Sequence, residues 1–166
     1  MSGDSVYVVN IYDLDKLRDL MEQAAESLIG HKFSVVFKKP VYKEFIGQAF
    51  IDTQDVSRIE IDPKQPIETI FHCFLHEVGH FFYEHVSTLE EDRIDYQNLP
   101  SDMFQAFDTT EKPEAYSKLP VELEADSFAN QIGNYAQYKA ISLFGHADIE
   151  TKLRVLCQVT ILKPGG

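Results

Sequence analysis

The sequence predicts an α+β domain in which strands come first and helices follow. Two observations carry that expectation. Runs of β-branched and aromatic residues, broken by Gly, Pro and Asp, are confined to the chain before Pro63. From about Ile67 the apolar period changes from two residues to helical spacing. The length of 166 residues suits a single domain spanning 1–166, since a chain of this size buries roughly two thirds of its unfolded surface.

The first expected strand is the β-branched run at 5–11. Asp13 suits the N-cap of a helix reaching Leu28, with Leu14, Leu17, Leu20, Met21, Ala24, Ala25 and Leu28 at helical spacing, and Gly30 suits its C-terminal end. Strands are expected at 32–38, around Ser34-Val35-Val36-Phe37, and at 46–52. Arg58-Ile59-Glu60-Ile61-Asp62 alternates strictly and stops at Pro63, which predicts a short edge strand. Pro66 then opens a helix at 67–84. At 100° per residue, Ile67, Ile70, Phe71, Phe74, Val78, Phe81 and Phe82 fall on one side, and His72, His76, His80 and Tyr83 on the other.

An acidic excursion at 84–119 interrupts the pattern. From Glu84 to Glu114 it holds nine acidic and two basic residues, more than half of the formal net charge of −12, with one short helix expected at 101–107. Pro120 opens a second long helix over 121–143, ended by Gly145. A last helix is expected at 148–159, with Ile149, Leu153, Leu156 and Val159 inward, and a tail follows from Lys163.

The sequence pI near 4.8 argues against direct nucleic-acid binding, which depends on neutralising phosphates with Lys and Arg. No run is long enough to span a bilayer and the N-terminus lacks signal-peptide character, so no membrane association is expected. Two cysteines, Cys73 and Cys157, are too few for a disulfide framework and are expected to be reduced in a cytoplasmic protein.

The chemistry lies in His76-Glu77-Val78-Gly79-His80. Residues four apart on a helix share a face, so His76 and His80 can reach one metal ion, while Glu77 lies about a quarter turn away, placed as a general base rather than a ligand. A catalytic zinc site needs a third protein ligand. Glu122 is the candidate, with Glu124 on the same segment and His146 further on as competitors. Asp126, one turn after Glu122, suits a carboxylate that fixes a ligand imidazole from behind, and Ala125 lets the two helices approach closely. His72 is expected beside the site or at the surface, and His85 at the helix end. Tyr83 is a possible oxyanion donor, with Tyr96 and Tyr116 as alternatives. The strand at 58–62 is a candidate edge for an extended peptide.

With His76-Glu77-x-x-His80 followed by Glu122-x-x-Ala125-Asp126, the chain resembles the gluzincin metallopeptidases. The longer wording Glu122-Leu-Glu-Ala-Asp-Ser-Phe-Ala129 is similar to the signature of the ImmA/IrrE family. The resemblance covers about 58–129. It implies a zincin-like fold: a small mixed β-sheet with an edge strand packed against the metal-binding helix, and a helical C-terminal half. It also implies a cytoplasmic zinc-dependent endopeptidase whose protein substrate is a helix-turn-helix transcriptional repressor. The expected cofactor is one Zn²⁺, with Mn²⁺ or Fe²⁺ as alternatives for a His-His-Glu set. The competing expectation is a catalytically silent module of the same fold that binds a basic protein partner through its acidic surface.

Overall fold

The computed structural model of the chain describes residues 13–40, 46–51, 56–83 and 120–161. The expected strand at 5–11, the acidic segment at 84–119 with its short helix, the tail from Lys163, and His85, Tyr96 and Tyr116 lie outside the described residues. The elements are α1 (Leu14–Ile29), β1 (Phe33–Phe37), β2 (Gly47–Ile51), β3 (Ser57–Ile61), α2 (Ile67–Phe82), α3 (Pro120–Phe144) and α4 (Ile149–Leu156). They form a mixed α+β arrangement, mostly helical.

Local chemistry accounts for the helix ends. The Asp13 carboxylate accepts from the Lys16 N–H at 3.2 Å, and Gly30 closes α1 in the left-handed region at φ 100°. All the inward positions expected after Leu14, from Leu17 to Leu28, are buried. Asp148 caps α4 by accepting from the Thr151 N–H at 2.8 Å, and α4 ends at Leu156, short of Val159.

The three strands lie in the order β1-β3-β2, with β1 parallel and β2 antiparallel to β3. This corrects the reading of 58–62 as an edge strand: β3 pairs on both sides, Ile59 facing Val35 in β1 and Ala49 in β2. Its alternation misled because the polar side is buried too. Glu60 is only 7% exposed and is satisfied by the Arg58 guanidinium two residues away, at 3.1 and 3.2 Å. A strand hydrogen-bonded on both sides has no edge to offer a peptide. Among the described residues the outer strands are β1 and β2, and it is β2 that packs beside α2. The outward Val35 N–H of β1 is taken by the Glu22 carboxylate of α1 at 2.9 Å.

One hydrophobic core joins these elements, with Leu17, Met21, Ile59, Phe74, Leu153 and Leu156 almost fully buried. Every apolar position expected inward on α2 is buried. On the opposite face α3 lies across α2 and buries Leu75 and His80, leaving His72 exposed. The helices meet at Gly79. A Cβ built there would stand 3.1 Å from the Phe128 Cβ and 3.2 Å from the Ala125 Cα and carbonyl oxygen, so the crossing tolerates hydrogen and little else. A branched side chain would force the axes apart. Gly79→Val is expected to cost about 2 kcal/mol or more through overpacking, read as a lower urea midpoint at unchanged slope. An unshifted midpoint would contradict this packing.

Candidate metal centre

α2 places His76 and His80 one turn apart, their ring centroids 4.9 Å apart and edge to face. α3 brings Glu122 between them from its first turn. The Glu122 carboxylate sits 3.0 Å from the His76 Nε2 through one oxygen and 3.2 Å from the His80 Nε2 through the other. The ligand atoms of the three residues lie within 4.8 Å of one another, the only such group among the described residues. Ala125, fully buried one turn beyond Glu122, and Gly79 make the close approach possible.

His76 holds a carboxylate on each ring nitrogen, with the Asp126 Oδ1 2.7 Å from Nδ1. Burial alone would hold its imidazole below the ordinary 6.5. The hydrogen bond to Glu122 and the charges of Glu77, Glu122 and Asp126 outweigh that and push it up to about 9. In the metal-free protein at neutral pH, His76 is therefore an imidazolium donating from both nitrogens. Burial would raise Glu122, but hydrogen bonds from His76 and His80, with their positive charge, hold its carboxyl well below the usual carboxylate range.

The donor set fits a divalent cation. Two imidazoles and a carboxylate suit zinc and its neighbours. Donors about 2.1 Å from a tetrahedral ion stand roughly 3.4 Å apart. The two histidine–glutamate separations, 3.0 and 3.2 Å, are close to that, while the whole donor set spans up to 4.8 Å and would draw in around an ion. In the metal-free protein the His76 proton does electrostatically what such an ion would do.

Glu77 is buried, at 7% exposure, and its charge is felt by His76. Its carboxylate faces β2: a Cβ added at Gly47 would lie 3.4 Å from Glu77 Oε2 and would collide with the Cys73 Sγ. Gly47 and Cys73 thus shape the pocket of Glu77, a contact that sequence reasoning missed. A glycine inside a strand pattern signals close backbone approach, and Gly47 was the available clue.

No family model, no curated protein and no solved structure matches the chain.

The other expected residues fall as follows. Asp126 is half exposed and meets His76, as anticipated, and its same oxygen lies 3.6 Å from the His72 Nε2, itself at the surface. Glu124 is exposed. His146 sits at the start of α4 beside Thr151 and Asp148, at 3.4 and 3.7 Å, and so does not join His76 and His80. The Tyr83 ring packs edge to face on Phe82 and Phe128, as part of the aromatic core.

The two shifted groups set a pH window for the metal-free protein. His76, raised, stabilises the fold fully below 6.5, and this is lost as pH climbs through about 9. Glu122, lowered, contributes above 4.5, and this is lost as pH falls. Chelator-treated protein should gain most from the pair between 4.5 and 6.5. The measurement is its thermal midpoint against that of a His76→Gln/Glu122→Gln variant across pH, and a pH-independent difference would contradict the pairing. Independently, Gly47→Ala should cost about 1–3 kcal/mol by overpacking, and adding Cys73→Ala should recover most of it. Simple additivity in that double-mutant cycle would show that Cys73 is not the obstacle.

Proposed function

We propose that this chain is a zinc-dependent endopeptidase that cleaves a protein substrate in the cytoplasm. The observation that carries the proposal is the convergence of His76, His80 and Glu122 on one buried point, with the Glu77 carboxylate buried alongside. His76, His80 and Glu122 would hold the ion. When bound, Zn²⁺ supplies Lewis-acid chemistry, polarising a peptide carbonyl and making a coordinated water acidic near neutral pH.

The remaining roles belong to the chain's own side chains. Asp126 accepts the Nδ1–H of His76, which fixes the tautomer that leaves the Nε2 lone pair for an ion at the point shared with His80 and Glu122. Glu77 accepts the proton of the attacking water and returns it to the leaving amine. Burial between α2, β2 and α3 keeps its carboxylate close to the reaction and away from bulk water. β2 is the outer strand beside Glu77 among the described residues, so an extended peptide is proposed to run along β2.

The resemblance of Glu122-Leu-Glu-Ala-Asp-Ser-Phe-Ala129 to the ImmA/IrrE signature supports a helix-turn-helix repressor as the substrate. The proposed cytoplasmic location rests on the sequence, whose two cysteines are too few for a disulfide framework. No helix among the described residues is long and apolar enough to cross a membrane.

Glu77→Gln is the decisive variant. It should retain one zinc per chain by elemental analysis while hydrolysis of peptide and repressor substrates falls by about 10²–10⁴-fold. Retained turnover would remove Glu77 from the chemistry. A zinc-loaded wild-type protein that cleaves nothing, yet binds a basic protein tightly at 1:1, would instead support the silent module.

A further inference from the structure

α3 does more than deliver Glu122. Among the described residues every exposed large apolar side chain lies on this one helix, and the exposure concentrates at its C-terminal end. Of its last seven residues, Tyr138, Ile141, Leu143 and Phe144 are 69%, 51%, 64% and 57% exposed. At 100° per residue these four spread over roughly 220° of the helix circumference. A helix that is apolar around so much of its girth belongs in an interior.

We propose that the last two turns of α3 pair with the same turns of a second copy of this chain. Two observations select that occupant. The first is charge. Between Asp126 and Asp148 the only formally charged side chain is Lys139, in a chain whose net charge is −12. Two copies meeting here bring no carboxylate of residues 127–147 face to face and only Lys139 near its copy, a small repulsion for a chain of this net charge. A strongly charged partner would find a single lysine to read.

The second is area. With an exposed aromatic side chain at about 200 Å² and an aliphatic one at somewhat less, these four and Tyr135 expose roughly 530 Å² per copy. A standard interface takes about 800 Å² per partner. The patch therefore supplies up to about two thirds of what a stable dimer needs, the remainder coming from the polar rim around it. Being the same surface on both copies, it closes on itself as a twofold pair. The pairing leaves the metal centre open, because Glu122 lies some 16 residues before Tyr138, roughly 24 Å along the helix.

Sedimentation velocity of the full chain over about 1–100 µM tests this. The mass should move from the 19.0 kDa monomer toward twice that value. Tyr138→Glu/Phe144→Glu should weaken the dimer by about a hundredfold, with helical circular dichroism and zinc content unchanged; Ile141→Lys is a second, independent variant. A wild-type protein that stays monomeric throughout overturns the proposal, as does a dimer that both variants leave intact. Flotation of a monomer with phosphatidylcholine vesicles would assign the patch to lipid and overturn it equally.

Discussion

The contact of Gly79 with Ala125 fixes the distance on which the rest of the centre depends. Packed helices ordinarily stand 8–10 Å apart, depending on the side chains at the crossing. Here one partner has no side chain and the other a single methyl, which brings the backbones to van der Waals contact. Only at that separation can a glutamate from α3 place one oxygen against each of two imidazoles on α2. The other side of α2 meets a similar restriction, since Gly47 in β2 leaves room for Cys73 and Glu77 and nothing more. α2 thus makes a glycine-permitted contact on each side, through its own Gly79 toward α3 and through Gly47 of β2.

Such a cluster is costly to bury. Charged groups leaving water lose several kcal/mol of hydration each, and mutual attraction repays this only when the geometry is good. Here both Glu122 oxygens and both His76 nitrogens are engaged, and no buried side-chain polar atom among the described residues lacks a partner. Three carboxylates around His76 leave a local excess of negative charge that demands a cation, and in the metal-free protein a proton meets that demand. The arrangement spends stability on a place for positive charge.

Much of this was legible in the sequence, for physical reasons that also mark the limits. The apolar spacing of α2 gave its core face, and the Asp13 carboxylate and the backbone freedom of Gly30 gave the bounds of α1, because helix ends are decided by local hydrogen bonds and local conformation. Glu122 and Asp126 were legible because both lie on one helical face, a relation contained within five residues. Strand order was not. Alternation at 58–62 says which side chains share a face and nothing about which strands lie on either side. The Arg58–Glu60 pair let a polar face sit buried, where charge suggested solvent. The burial of Leu75 and His80 likewise came from α3, a helix distant in sequence, and the glycine at 47 signals a close approach without saying that Cys73 makes it.

His76 and Glu122 are 46 residues apart in the chain. While the chain is being synthesised, α2 emerges with His76, His80 and Glu77 long before Glu122 exists. A nascent chain stalled or cut anywhere before Glu122 carries an incomplete donor set, and a finished chain acquires the full set only when α3 has docked at Gly79. The chemistry proposed for the centre would thereby be withheld from unfinished and unfolded molecules, with tertiary docking of α3 as its release.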